Sequence, residues 1–207
     1  MTVADGGLKV LLAKRAEAPY AGKWALPGGI VRIDLDHSLD AAAARVVQER
    51  LGTHLGQLDQ LCAVGGAKRD PRAAWGLSIV YRALLPFDKI QANAGKRIEA
   101  LHWQSVDEAC VDKALAFDHA KLINIAVAKT RQQVNAIELL QGLLPEQFSL
   151  GELQTSCEHI LGHRLDKSSF RRKLTDRKAV QAIEGAIRRG VNRPAQLYRL
   201  SNARHLL

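Results

Sequence analysis

The chain has 207 residues, of which 47% are hydrophobic, and a formal net charge of +9. This length favours two domains over one compact core, and the apolar content is that of an ordinary globular protein. The sequence shows neither an apolar run of the roughly 20 residues that a membrane span needs nor a signal-peptide pattern, so we expect a cytoplasmic protein with no membrane partner.

The three cysteines, Cys62, Cys110 and Cys157, are scattered singly along the chain. They form no Cys-x-x-Cys pair, and no histidine lies near them at metal-ligand spacing. This usage suggests neither a zinc site nor a disulfide framework. We expect all three to be buried or free thiols.

The positive charge is concentrated at one end of the chain. Residues 163–204 contain twelve Lys and Arg against three acids, an excess that equals the net charge of the whole molecule. A neutral first part joined to a strongly basic last part indicates that a polyanion binds at one end only. A merely solvated basic surface is the alternative that charge alone leaves open.

The first segments predict strands and a turn. The apolar run 8–12 follows an Asp-Gly-Gly turn signal and reads as a strand. Only Thr2 and Val3 precede that turn as a partner strand, so we expect the natural start of the chain to lie further upstream. The segment 24–29, Trp-Ala-Leu-Pro-Gly-Gly, predicts a strand end followed by a turn.

The next segments complete a mixed α/β domain. Apolar residues at helical spacing predict a helix over 39–51, and Gly52 is placed to end it. Further strands are expected around 61–64, 77–85 and 98–103, and a long helix over 117–134 would close the domain.

After Asn135 the pattern becomes that of a small DNA-binding unit. Ser149 and Glu152 have the spacing of a capping box and open a helix that Gly162 ends. Asp166 can cap a second, short helix over 167–174. Segments 180–183 and 197–200 read as two strands joined by a basic loop. Helix, turn, helix and a two-stranded wing is the order of a winged-helix DNA-binding domain.

The segment 24–29 is followed by a helix that carries Arg45-x-x-x-Glu49-x-x-Gly52. Together they resemble a Nudix box. Nudix helices carry several carboxylates on one face, since pyrophosphate hydrolysis needs Mg²⁺ ions bound by hard oxygen ligands. The resemblance implies an α/β/α sandwich with a mixed sheet.

The box is incomplete. Its other acidic positions hold His37, Val46 and Arg50, and two extra residues separate Gly29 from Arg45. Valine supplies no ligand and arginine repels a metal, so we expect neither a bound metal nor a catalytic residue. Glu49 pairs with Arg45 across a helix turn or caps a nearby loop in one interpretation, and a residual catalytic role is the alternative. Possible substitutes for the missing carboxylates are Asp34, Asp36 and Asp40.

Further segments resemble the Nudix-related transcriptional regulators of the NrtR family. They are Arg69-Asp70-Pro71-Arg72, Phe117-Asp118-His119, the stretch 165–173, and Arg193-Pro194-Ala195 before Leu197-Tyr198. The resemblance covers nearly the whole chain. It implies a Nudix-like sensing and dimerisation domain over 1–136 and a winged-helix domain over 137–207. It also implies a homodimeric regulator, usually a repressor, of NAD metabolism genes on a palindromic operator, with ADP-ribose or a related nucleotide as effector and no required cofactor.

The candidate effector site follows from what a nucleotide diphosphate needs. Guanidinium groups bind phosphate in a fork, which makes Arg45, Arg69 and Arg72 candidate phosphate partners beside the Gly28-Gly29 turn. Trp24 is the candidate support for the base, although a Trp beside a strand also suits a core role. Asp70 is expected to orient Arg72 or cap a turn, and His119 lies either near the pocket or in a cap region.

The candidate DNA-binding residues lie on the second helix of the basic domain and in the wing. Phe170 and Leu174 share one helical face, which we assign to the core, so Arg172 lies on the opposite face. Arg172, Ser168 and Ser169 are the candidates for base edges, and Arg171 and Lys173 suit phosphates. Lys167 completes this helix set, and the wing candidates are Arg188, Arg189 and Arg193.

Two other functions fit the sequence. One is an active Nudix hydrolase of ADP-ribose-like substrates whose basic domain only localises it. The other is a ligand-independent nucleic-acid-binding protein in which the Nudix domain is only a scaffold for dimerisation.

Overall fold

A computed structural model of the chain describes residues 1–55, 58–87, 92–139, 144–188 and 194–201. In chain order the helices and strands are β1 (Thr2–Ala4), β2 (Gly7–Arg15), β3 (Trp24–Ala25), α1 (Leu39–Leu51), β4 (Asp59–Asp70), β5 (Ala73–Arg82), β6 (Ile98–Ser105), α2 (Val106–Ala109), α3 (His119–Asn135), β7 (Phe148–Ser149), α4 (Leu150–Leu161), α5 (Lys167–Asp176), β8 (Val180–Arg188) and β9 (Ala195–Leu200).

The chain divides into two compact units. The first comprises Met1, Lys9–Ala83 and Lys89–Ala128, and the second comprises Thr2–Leu8, Leu84–Asp88 and Lys129–Leu207. The last turns of α3 therefore belong to the second unit. The boundary at residue 136 that the sequence indicates stays a prediction.

The strands of the first half form two sheets. In the larger sheet β2 pairs antiparallel with both β3 and β6, and β1 is also a neighbour of β2. A separate antiparallel hairpin consists of β4 and β5. Because alternate residues of a strand point to one face, β2 buries Leu8, Val10 and Leu12. The predicted strand over 8–12 is confirmed and is longer than expected.

Helix α1 carries the box residues and has the predicted bounds. Ser38 caps it by accepting a hydrogen bond from the Ala41 amide at 3.1 Å. Gly52 ends it with a φ of 62°, in the left-handed region that glycine adopts without strain.

The core beside β4 and β5 is closed by α3. Leu61 of β4 and Val80 of β5 pack with Leu122 and Ala126 of α3 in one buried apolar cluster. The predicted long helix is confirmed, and it begins at His119, two residues later than the pattern indicates.

The second half contains a winged helix. A three-stranded sheet in the order β7-β9-β8 accompanies α4 and α5. The capping box of Ser149 and Glu152 at the start of α4 is present, and Gly162 ends that helix with a φ of 78°. Phe148, Ile160 and Leu174 are almost fully buried and form part of its core.

Several elements differ from the prediction, and β5 (Ala73–Arg82) begins and ends earlier than the segment 77–85 indicates. Strand β8 continues to Arg188 because a register shift between Ala182 and Ile187 lets the strand pass through Gly185, which breaks the regular alternation. The two-residue strand β7 and the one-turn helix α2 are too short to give a periodic signal.

Cys62, Cys110 and Cys157 are all free thiols, as predicted, and Cys157 is buried in the winged helix. Among the helices in the described ranges, none combines the length and apolar character that a membrane crossing needs.

Candidate functional site

The box helix holds Arg45 in a network of carboxylates. Its Nε donates to Asp36 Oδ1 at 2.7 Å and one Nη to Asp36 Oδ2 at 2.8 Å, while the other Nη reaches Glu49 at 3.4 Å. These hydrogen bonds lower the pKa of Asp36 to about 2 and raise that of Arg45. The expected pairing of Glu49 with Arg45 is therefore present, and Asp36 takes the stronger share.

The glycine turn approaches the box helix closely. A Cβ on Gly29 would lie 2.6 Å from a methyl group of Val46, so any larger residue there requires the Val46 side chain to shift. Gly28 is exposed, and its carbonyl accepts a hydrogen bond from Arg50 Nε at 3.0 Å. The turn thus packs against α1 through one glycine and binds an arginine through the other.

Trp24 is half-buried at the start of β3, and its ring centroid lies 5.6 Å from that of His102. The carbonyl of Trp24 accepts a hydrogen bond from the Ala116 amide at 2.8 Å. The indole therefore has a tilted contact with a ring of β6, which fits a core role.

Arg69 forms a fork with Asp118. Its Nε and one Nη lie 2.7 and 3.0 Å from the two carboxylate oxygens, and its other Nη donates to Ser78 Oγ at 3.0 Å. Burial opposes ionisation of Asp118, but the hydrogen bonds from Arg69 outweigh it and lower the pKa. The side chain of Arg69 is only 11% exposed, which marks it as a positioning group.

Arg72 pairs with Asp70 at the tip of the β4–β5 hairpin. Both its Nε and its backbone amide donate to Asp70 Oδ1 at 2.9 Å. The hydrogen bonds from Arg72 lower the pKa of Asp70 to about 2. The expected role of Asp70 in orienting Arg72 is therefore present, and the Arg72 side chain stays half-exposed.

Two arginines near these groups were not among the sequence candidates. Burial and the positive charges of Arg72 and Arg50 lower the pKa of Arg15. Burial and the charge of Arg97 lower the pKa of Arg50. We call Arg15, Arg45, Arg50, Arg72 and Arg97 the arginine cluster. No sequence pattern indicates Arg15, and the Nudix resemblance indicates Arg50 only as a residue that repels a metal.

His119 links α3 to the strand before the glycine turn. Its Nδ1 accepts a hydrogen bond from the Leu26 amide at 2.9 Å, and its ring lies 5.2 Å from that of Phe117. Burial lowers its pKa to about 4, so the imidazole is neutral at physiological pH. Its position is that of the expected cap-region residue.

The box residues do not fit the Mg²⁺ ions that a Nudix fold implies. Val46 offers no ligand, Arg50 brings a positive charge, and Glu49 is engaged by Arg45. In the part of the chain that the structure describes, no group of three His, Cys, Asp or Glu is placed to hold a metal.

Helix α5 presents the basic face of the second unit. Asp166 caps it by accepting from the Ser169 amide at 2.8 Å, while Phe170 and Leu174 are 3% and 2% exposed. The predicted core face is thereby confirmed. Of the candidate residues on the other faces, Ser169 is half-buried. The rest are exposed, namely Lys167, Ser168, Arg171, Arg172 and Lys173.

The turn before α5 is fixed by two side chains of α4. The carboxylate of Glu158 accepts from the Leu165 amide at 2.9 Å, and the amide of Gln154 donates to the Leu165 carbonyl at 3.0 Å. Gln154 also donates to Glu158 at 2.9 Å. We call Gln154 and Glu158 the turn clamp. The turn clamp satisfies both backbone groups of Leu165, the residue before the N-cap, and no sequence pattern indicates it.

The wing candidates have different positions. Arg188 pairs with Glu152 and donates to the Gln147 carbonyl at 3.3 Å, so it ties β8 to the start of α4. Arg189 and Arg193 lie outside the described residues.

Comparisons with known proteins agree with this architecture. The chain matches the NUDIX domain family over residues 1–124 and the NrtR DNA-binding winged helix domain over 141–200. It is 37% identical over 200 residues to an ADPR-responsive transcriptional repressor of Acinetobacter baylyi, which covers 97% of this chain and 78% of the relative.

Solved structures of NrtR from Shewanella oneidensis are similar to this one. NrtR of Shewanella oneidensis in complex with a 27mer DNA has a TM-score of 0.80 and 32% identity, covering 97% of this chain and 90% of that chain. The NUDIX domain of the same protein complexed with ADP ribose has a TM-score of 0.54 and 33% identity, covering 62% and 82%. A NUDIX domain followed by this winged helix, along nearly the whole chain, makes the protein a member of the NrtR family of transcriptional regulators.

Proposed function

We propose that the protein is a repressor whose affinity for operator DNA is changed by ADP-ribose bound in its NUDIX domain. The observation that carries this proposal is the exposed basic face of α5 in a winged helix, on the same chain as a NUDIX domain with an arginine cluster. The Acinetobacter relative is named for its response to ADPR, and the Shewanella NUDIX domain was crystallised with ADP ribose.

The effector site comprises the residues that the sequence indicates, with unequal roles. Arg72 is the most exposed of the three paired arginines and can turn its guanidinium from Asp70 to a phosphate. Arg45 and Arg69 are held by carboxylates at low exposure and shape the site. Gly28 and Gly29 offer backbone donors, and the half-buried Trp24 is the candidate support for the base.

The DNA site comprises the exposed face of α5 and the wing. Arg172, Ser168 and Ser169 read base edges, while Lys167, Arg171 and Lys173 bind phosphates and set the register. Arg188 supports the wing through Glu152. Arg189 and Arg193 complete the wing surface as predictions from the sequence.

The protein acts without hydrolysing its effector. One box carboxylate that is already paired with Arg45 is a poor substitute for the several oxygen ligands that Mg²⁺ needs. No cofactor is required for the regulatory role, since the nucleotide itself supplies the signal.

The functional form is a homodimer on a palindromic operator in the cytoplasm. Winged-helix and other helix-turn-helix dimers read two half-sites, so the symmetry of the operator follows that of the protein. The regulated genes are those of NAD metabolism, and residues 1–136 and 137–207 form the sensing and DNA-binding domains.

Thermal unfolding and an AMP-release assay on the same sample test this function. We expect the melting temperature to rise with ADP-ribose concentration, as for any ligand of the folded state, and no AMP to form with Mg²⁺. Mg²⁺-dependent AMP release that the Glu49→Gln variant lacks would identify an enzyme. No stabilisation by ADP-ribose would favour the scaffold alternative.

A further inference from the structure

The arginine cluster contains two kinds of arginine. Arg45, Arg72 and Arg97 are paired with carboxylates, those of Asp36, Asp70 and Glu17 respectively. Arg15 and Arg50 form no ion pair with the carboxylates of the described residues and are held by backbone carbonyl groups instead.

Carbonyl groups fix both guanidinium groups in place. Arg50 donates from Nε to the Gly28 carbonyl at 3.0 Å and from an Nη to the Lys96 carbonyl at 2.7 Å. Arg15 donates from Nε to the Pro19 carbonyl at 2.7 Å. Its guanidinium carbon also lies 5.0 Å from the centre of the Phe117 ring. Carbonyl oxygens are neutral, so these bonds orient the two cations without cancelling their charge.

Holding cations close together is unfavourable unless anions balance them, and the nearby carboxylates of Asp70, Glu17 and Glu49 balance Arg15 and Arg50 only in part. Burial, then Arg72 and Arg50, lower the pKa of Arg15, which shows that the positive charges act on one another. A diphosphate carries the complementary negative charge and accepts the forked hydrogen bonds that guanidinium donates.

Position 50 is also where the Nudix pattern has a carboxylate for Mg²⁺. An arginine at position 50 removes a ligand that would bind a metal ion. It supplies instead a positive charge that belongs to the chain itself. Because its backbone partner is Gly28, that cation lies at the glycine turn where the effector phosphates are expected.

We propose that Arg15 and Arg50 bind the diphosphate of the effector directly, in place of Mg²⁺, so that nucleotide binding needs no divalent cation. This inference rests on the proposed function, since it assigns the charge partners of the same site. It adds two residues to the site and makes metal independence a consequence of the sequence at position 50.

Calorimetric titration of ADP-ribose into the full chain, in EDTA and in excess Mg²⁺, tests the inference. We expect dissociation constants that agree within about twofold in the two buffers. Arg50→Gln and Arg15→Gln should each weaken binding by about tenfold or more, as expected for loss of a charge-assisted hydrogen bond. Arg199→Gln removes the same charge from β9 and should bind like wild type.

Two further measurements separate a phosphate contact from damage to the fold. Arg50→Lys keeps a cation without the fork, and we expect intermediate affinity that is still insensitive to EDTA. Adenosine, which has no phosphate, should bind Arg50→Gln and wild type equally. Equal weakening of adenosine and ADP-ribose would overturn the inference, as would wild-type binding that requires Mg²⁺. Wild type that binds ADP-ribose in neither buffer would instead overturn the proposed function.

Discussion

His119 shows how one partly buried side chain makes the NUDIX domain sensitive to acid. Its neutral imidazole accepts the Leu26 amide, and burial lowers the pKa from 6.5 to about 4. Between these pH values the unfolded chain takes up a proton that the folded protein does not. The contribution of the neutral His119 to the free energy of unfolding is therefore fully present above pH 6.5 and is lost as the pH falls toward 4.

The His119→Asn variant isolates this effect. An asparagine oxygen can still accept the Leu26 amide but does not titrate, so we expect the variant to lose less stability on acidification. The difference across this window should reach about 3 kcal/mol, at 1.36 kcal/mol for each pH unit of pKa shift. Urea unfolding at pH 7, 6, 5 and 4 measures it. Parallel curves for the two proteins would show that His119 does not titrate as described.

At the scale of single elements, we expect different residues of α5 to set the specificity and the affinity of DNA binding. Arg172 lies opposite the buried pair Phe170 and Leu174, whereas Lys173 flanks that face. Arg172→Ala should cost ~1–3 kcal/mol of discrimination at one base pair. Lys173→Ala should weaken binding to all DNA sequences alike. It should also reduce the salt slope, the slope of the logarithm of the binding constant against the logarithm of the salt concentration, by about 1. Lys113→Ala, an exposed lysine of the first unit, is the matched control.

Anisotropy titrations on the operator and on single-base variants measure both effects, at several salt concentrations. If Arg172→Ala weakened every sequence equally, Arg172 would be a phosphate contact and the assigned helix face would be wrong.

The turn clamp holds the start of α5 from a buried position at Glu158 and a half-buried one at Gln154, so we expect it to make no direct contact with DNA. Glu158→Ala leaves the Leu165 amide without its acceptor, so we expect weaker operator binding. The salt slope should stay unchanged because no phosphate contact is lost. Glu158→Gln keeps an oxygen acceptor and should lose less affinity for the operator. A reduced salt slope in Glu158→Ala would show that the variant has lost phosphate contacts instead.

The sequence predicts the elements better than it predicts the site. The bounds of α1 follow from apolar spacing and Gly52, and the capping box marks the start of α4, because these signals are local. The partners of Arg45 and Arg50 lie 9 and 22 residues away, at Asp36 and Gly28. Such pairings depend on how the chain folds back, which periodicity does not encode.

The same limit explains the missed residues. Arg15 is the last residue of a strand whose register with β6 shifts at that point, so its surroundings depend on pairing across more than 80 residues, with Ile98 as its partner. Gln154 and Glu158 look like ordinary helix residues in the sequence. Their role becomes visible only when Leu165 is placed against them.

At the scale of the whole molecule, charge is divided between two functions. The excess of twelve basic over three acidic residues in 163–204 accounts for attraction to DNA. The arginine cluster of the NUDIX domain is balanced in part by Asp36, Asp70 and Glu17 and suits a small anion. One chain therefore carries a site for a nucleotide and a separate site for a polyanion.

Coupling between the two sites requires that ADP-ribose bind the DNA-bound protein and the DNA-free protein with different affinity. The coupling is reciprocal, so DNA must change the affinity for ADP-ribose by the same factor. A single measurement of DNA affinity with and without the nucleotide therefore reports on the whole account.

That measurement is an anisotropy titration of the full chain on its own upstream DNA and neighbouring promoters, with and without saturating ADP-ribose. We predict specific binding to at least one promoter and a change in affinity of about fivefold or more when ADP-ribose is added. No specific binding, or specific binding that ADP-ribose leaves unchanged, would contradict the assignment of this protein as an ADP-ribose-responsive regulator.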